Sequence, residues 1–166
     1  MGQGFPRCPR SHRRMQAYEP HSVARKDSSP LLILHVEDDE NDALLFAKAC
    51  ERAGLPAKVF HVEAADFAKA YLLGEGVYQD RSLYPVPHII VLDLKLPRMD
   101  GFQFLNWLRH SENFAALPVL VFTASMSRED KSRAIAEGAS SYFIKPSSFE
   151  ALVKIVEGMG APNDRN

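Results

Sequence analysis

The chain has 166 residues, 46% apolar and 25% charged, with a formal net charge of -1. That size and balance suit one folded domain with a real core plus a tail, and exclude a chain disordered throughout. The charge gives no argument for nucleic-acid or membrane binding, no apolar run approaches the ~20 residues of a membrane helix, and the basic N-terminus lacks the apolar stretch of a secretory signal.

Residues 1–30 carry Arg7, Arg10, Arg13, Arg14, Arg25 and Lys26 against Glu19 and Asp27, with Pro6, Pro9, Pro20 and Pro30. With little periodic apolar content, this segment reads as a flexible basic arm. Its scattered charges make a weak patch, so a plain leader is favoured over an acidic or nucleic-acid partner. Cys8 lies in the arm and Cys50 in a predicted helix, so no disulfide framework is expected and a reducing cytoplasm fits.

From Leu31 the pattern becomes regular. "LLILHV" (31–36) predicts a strand and 43–52 a helix ended by Gly54 and Pro56. "AKVFHV" (57–62) predicts the second strand, and 64–73 a helix ended by Gly74 and Gly76. A polar, proline-containing connection leads to "HIIVLDL" (88–94), the third strand. Helix 100–110, strand 118–124, helix 128–138, strand 141–146 and helix 148–159 follow. The central strands are solid apolar runs, which implies helices on both faces. Five such strands alternating with five helices indicate a parallel α/β sheet.

Ligands in such sheets bind beyond the carboxyl ends of the strands. Glu37, Asp38 and Asp39 follow the first strand, Asp93 ends the third, Thr123 ends the fourth, and Lys145 precedes Pro146 at the end of the fifth. Converging carboxylates repel one another, and a divalent cation relieves that conflict. Oxygen-only ligands suit a hard ion, and so few of them suit Mg²⁺ with its own waters. Asp93, an acid behind a buried strand, then faces a cation and can serve as nucleophile towards a phosphoryl group. Asp39 is left open between a helix cap and a metal contact. Asp100 is expected to cap the third helix, and Asp42 to favour the dipole of the first. His35, His61, His88 and His110 stand at unrelated spacings and are read as structural or surface residues.

"LHVEDDE", "IIVLDLKLPRMDG", "VLVFTAS" and "SYFIKP" resemble, in order, the four signature segments of the response regulator receiver domain of two-component signalling. The resemblance covers residues 31–159 and leaves residues 160–166 as a tail. It implies a flavodoxin-like fold of strand order 2-1-3-4-5, with Asp93 as phosphoacceptor. Glu37 and Asp38 are then the acidic pair at Mg²⁺, joined by Asp93 and the Lys95 backbone carbonyl. Thr123 and Lys145 bind the phosphoryl group, and Thr123 and Tyr142 form the switch. Lys145–Pro146 is expected to be cis. Gln103 stands where the family usually has Glu, and Lys95 and Ser125 take the positions flanking the attacking water.

"VEDDENDALL", "DLKLPRMDG" and "LGEGVYQDRSLYPVPH" are further similar to small stand-alone regulators of phytochrome kinases, which are often dimeric. The expected partner is therefore a sensor histidine kinase, of phytochrome type on the narrower likeness, with a possible homodimer. No DNA-binding output domain and no membrane contact are expected, and a cytoplasmic location is. Two other readings stay open. One is a phosphorylation-independent binding module on the same fold. The other is a phosphatase with an aspartyl intermediate, against which Lys95 counts, because such enzymes place a second Asp there.

Overall fold

A computed structural model describes residues 29–160. The predicted basic arm and C-terminal tail lie outside the described residues, apart from their boundary residues 29, 30 and 160. The elements run β1 (Leu31–Val36), α1 (Glu40–Arg52), β2 (Ala57–Val62), α2 (Ala65–Leu73), β3 (Ile89–Leu92), α3 (Gly101–Arg109), β4 (Val119–Thr123), α4 (Arg128–Ala136), β5 (Ser141–Ile144) and α5 (Phe149–Gly160). All four strand pairings are parallel and the order is β2-β1-β3-β4-β5, as expected.

Side chains alternate across each strand, so one apolar run serves two cores. Leu34, Val36, Ile90, Leu92, Val119 and Val121 meet α2, α3 and α4 through Leu72, Phe104, Leu105 and Ala134. Ile33, Val91 and Phe122 face the other way, against Phe46, Ala49 and Cys50 of α1 and Leu152 and Val156 of α5. The double coverage inferred from the unbroken apolar runs is thus literal. Phe46 and Phe104 are fully buried, one in each core. Truncating either to Ala removes about 3–5 kcal/mol.

Register places the site. Val36 pairs with Leu92, Leu92 with Val121, and Thr123 with Ile144. Residues Glu37, Asp93, Thr123 and Lys145 therefore crowd one rim although they are far apart in sequence.

Three helix starts differ from or sharpen the sequence reading. Helix α1 begins at Glu40 rather than Ala43, because the Asp39 carboxylate accepts from the N–H groups of Asn41 and Asp42 at 2.8 and 3.0 Å. Asp100 caps α3 through Gln103 N–H at 2.8 Å, and the Gln103 side chain returns to Asp100 N–H at 3.1 Å. Gln in place of Glu thus still completes the capping box. Ser127 caps α4 by accepting from Asp130 N–H.

The connection from α2 to β3 is more ordered than its polar, proline-containing sequence suggested. A 3₁₀ turn covers Gly76–Tyr78. Arg81 donates to the carbonyls of Tyr71 and Leu72 at the end of α2 and to that of Tyr84, at 2.6–3.1 Å. The rings of Tyr71, Tyr78 and Tyr84 lie 5.2–6.0 Å apart by centroid, and the Tyr71 hydroxyl donates to Pro85 O. One guanidinium thus serves carbonyls at a helix end, where the regular backbone ladder runs out of donors.

Candidate functional site

Glu37 leaves β1 at the buried rim, with only 1% of its surface exposed, and Asp93 leaves β3 at 5%. Asp38 points outward. One carboxylate oxygen from each of Glu37, Asp38 and Asp93 lies within 4.8 Å of the other two. From β5, the Lys145 Nζ comes within 2.8 Å of Asp93 Oδ2 and 2.6 Å of Glu37 Oε2. Asp93 Oδ1 accepts from Lys95 N–H at 3.1 Å.

These contacts set the charge state. Burial pushes the Asp93 carboxyl up, but bonds from Lys145, the Lys95 N–H and the Thr123 hydroxyl outweigh it, and the net effect is below the ordinary carboxylate value. Asp93 is thus ionised at neutral pH, as a nucleophile requires. Burial also raises Glu37, to about 7, against the opposing pull of Lys145. For Lys145, burial works against the charged form, and Asp42, Asp93 and Glu37 more than compensate, so it is held above its usual value. His35 is buried against the Phe46 ring at 4.5 Å, and burial lowers it to about 3. Its Nε2 is 4.0 Å from Glu37 Oε2, so a neutral ring, not a second cation, borders the acids.

The donor set fits a hard divalent cation. All three groupable side chains offer carboxylate oxygen. Glu37 Oε2 is buried, with the Lys145 ammonium 2.6 Å away. Three carboxylates gathered around one ammonium leave negative charge uncompensated, and a divalent ion relieves it. Asp39, left open by the sequence, is a cap and stands outside this grouping.

The remaining residues are brought to the same rim. Thr123 is fully buried at the end of β4. Ser125 is 6% exposed and donates its hydroxyl to Asp130 Oδ2 at 2.5 Å. The Tyr142 hydroxyl donates to Ser125 O at 2.9 Å, tying β5 to the loop after β4. The Lys95 side chain is exposed. The peptide bonds of the described residues are all trans, which corrects the expected cis Lys145–Pro146. Lys145 reaches its carboxylates with a trans peptide behind it.

Gly101 explains part of the "MDG" run. A Cβ there would lie 2.5 Å from the backbone O of Asp93 and 2.6 Å from Leu94 Cα. Helix α3 thus starts directly against the backbone that carries Asp93.

The sequence reading missed Asp42. Its Oδ2 accepts from Lys145 Nζ at 2.8 Å, across 103 residues of sequence. The available signal was its place in the first turn of a helix that starts at the acidic rim. Of the four histidines read as structural or surface residues, His61 and His110 are exposed and His35 is buried, and two border the site, since the His61 Nε2 lies 2.7 Å from Glu37 O and His35 stands beside the same residue.

Comparison with known proteins assigns the family. The family model of the response regulator receiver domain matches residues 33–157. The chain is 41% identical over 129 residues to the probable methanogenesis regulatory protein FilR2 of Methanothrix harundinacea, spanning 77% of this chain and 80% of that protein. The structure of the phosphorylated cyanobacterial phytochrome response regulator RcpA superposes with a TM-score of 0.71 at 29% identity, covering 79% of this chain and 91% of RcpA. The Mn²⁺-bound form of Rcp1, a response regulator of Synechocystis, gives a TM-score of 0.70 at 28% identity over 78% of this chain and 91% of that one. With the rim of acids and lysine on the flavodoxin-like sheet, these matches make the chain a member of the response regulator receiver domain family.

Proposed function

We propose that this protein is a phosphorylation-driven switch that takes a phosphoryl group from a sensor histidine kinase onto Asp93. The observation that carries the reading is the buried, ionised Asp93 carboxylate with the Lys145 ammonium at 2.8 Å and two further carboxylates beside it. The phosphorylated form of RcpA and the Mn²⁺-bound form of Rcp1 support it by analogy.

In the proposed reaction an Asp93 carboxylate oxygen forms a bond to phosphorus as the bond from phosphorus to the donor's imidazole nitrogen breaks. The electron pair of that bond stays on the imidazole. Lys145 faces one phosphoryl oxygen with its ammonium, and the Thr123 hydroxyl with nearby backbone N–H groups faces another. Such a transfer depends on positioning and charge compensation rather than on a proton-moving base. Glu37, Asp38, Asp93 and the Lys95 carbonyl are the residues to hold Mg²⁺, which when bound compensates charge on the remaining oxygen. Lys95 stands two residues after Asp93 where a general acid would be needed, so turnover of external phosphoesters is not part of this reading.

The new group adds about -1.5 to -2 charges. In this structure Tyr142 is tied to the Ser125 carbonyl. Movement of Thr123 towards the phosphoryl group releases that loop, and the α4–β5–α5 surface shifts between two packings. The likeness to RcpA makes a phytochrome-type kinase the first donor to try; a homodimer and a cytoplasmic location belong to the same proposal. Intact mass after incubation with Mg²⁺ and acetyl phosphate tests the chemistry. One added phosphoryl group on the wild type and none on Asp93→Asn is the expected result. Equal labelling of both proteins refutes Asp93 as acceptor.

A further inference from the structure

We propose that Asp42 is a positioning residue that holds the Lys145 ammonium over Asp93. The inference rests on the phosphoacceptor reading and adds a residue which that reading leaves out.

A lysine ammonium has three protons to donate on a flexible four-carbon stem. Here it makes two hydrogen bonds of 2.8 Å, to Asp93 Oδ2 and to Asp42 Oδ2, and an ion pair of 2.6 Å with Glu37 Oε2. The three carboxylates are not equivalent. Glu37 and Asp93 belong to the group of acids suited to a divalent cation, and Asp42 does not. Asp93 moreover carries the oxygen at which the phosphoryl group arrives. A lysine held only by these two acids loses its anchors as the site fills.

Asp42 is an anchor of another origin. It comes from the first turn of α1, while Lys145 follows β5 at the far side of β3 and β4 in the sheet. Its bond fixes the ammonium between helix α1 and the acceptor without using an oxygen that the reaction needs. A charge fixed in advance where negative charge gathers is worth more than one that must be reoriented. Asp42 also stands three residues after the N-cap Asp39, where a carboxylate favours the helix dipole. That role needs no lysine, and the two are separable.

The test uses the full chain. Lysine ammonium ¹⁵N–¹H signals are recorded on metal-free wild type, Asp42→Asn and Lys145→Met, the last to assign the Lys145 resonance. Phosphorylation by acetyl phosphate with Mg²⁺ is then followed by intact mass in the wild type, both single variants and the double variant. The expected result is a sharp Lys145 signal in the wild type that is broadened away in Asp42→Asn. The first-order phosphorylation rate falls about fivefold in Asp42→Asn, the size of a partly exposed ion pair, with the half-saturating acetyl phosphate unchanged. Asp42→Asn has no further effect in the Lys145→Met background. The same fivefold loss in that background overturns the proposal, because Asp42 then acts through the helix or through bulk charge. An unchanged ammonium signal overturns it as well. A wild type that takes up no phosphoryl group refutes the phosphoacceptor reading and the catalytic role of Asp42 with it, whereas a labelled wild type with an unaltered rate in Asp42→Asn refutes Asp42 alone.

Discussion

Replacing Lys145 by methionine keeps most of the side-chain volume and removes the cation that touches Glu37, Asp42 and Asp93 at 2.6–2.8 Å. Each contact is worth about 6 kcal/mol of bare Coulomb attraction at an effective dielectric constant near 20. Desolvation and the mutual repulsion of the acids cancel most of it. Removing one partner of a buried ion pair typically costs ~3–5 kcal/mol. The lysine is 14% exposed and Asp42 is 40% exposed, so the low end of that range, about 3 kcal/mol, is expected for the metal-free protein. This corresponds to a fall in Tm of roughly 10 °C. The pH dependence has a defined sign. Asp93 has a depressed folded value, so its stabilisation is present above the ordinary carboxylate range and is lost as pH falls through the folded value. Lys145 has a raised folded value, so its stabilisation is present below the ordinary lysine value and is lost as pH rises through the folded one. Glu37 is raised to about 7, so its contact with Lys145 counts in full only above that value; the gap between wild type and variant is therefore widest from about pH 7.5 to 10, narrows as Glu37 takes up its proton, and closes in acid as Asp93 follows. Urea melts in EDTA at pH 7.5 and pH 3.5 measure it. A gap that is absent at pH 7.5, or as wide at pH 3.5, refutes the electrostatic account of this site.

Mg²⁺ at millimolar concentration raises the Tm of the wild type, since a ligand that binds only the folded state stabilises it. Asp38→Asn, at an exposed residue of the acidic grouping, removes most of that increment while leaving the metal-free Tm within about 2 °C. Differential scanning fluorimetry with and without Mg²⁺ decides it. Gly101→Ala drives a Cβ against the Asp93 backbone and costs about 1–3 kcal/mol. Chemical denaturation reads this cost, and phosphorylation by acetyl phosphate slows with it. Arg81→Ala leaves the carbonyls of Tyr71, Leu72 and Tyr84 without this donor and costs about 2 kcal/mol. Hydrogen exchange rises across residues 74–88 while phosphorylation of Asp93 continues at the wild-type rate.

The five-stranded parallel sheet was legible in the sequence because strands covered on both faces carry unbroken apolar runs, and the chain alternates these with helical periodicity. The rim residues were legible for a related reason. Glu37, Asp93, Thr123 and Lys145 each stand where an apolar strand stops, and a parallel sheet brings such positions to one edge. Asp100 was read as a cap and is one, but Asp39 was harder. A carboxylate at a helix start reads alike as cap or ligand, and only the N–H groups of Asn41 and Asp42 decide between them. The ordered connection after α2 was hidden because Arg81 and three tyrosines act through partners on other segments. Hydrogen bonds of that kind leave no periodicity to read. Asp42 shows the same limit at the site itself. Sequence placed it in the first turn of α1 on helix propensity and dipole, which are local. Its bond to Lys145 joins residues 103 apart. Local chemistry, written in neighbouring residues, determined the strands, the helices and the acids at their ends. Which acid the single lysine touches was decided only when α1 and β5 docked on the same sheet, since that distance is a property of packing and not of any one segment.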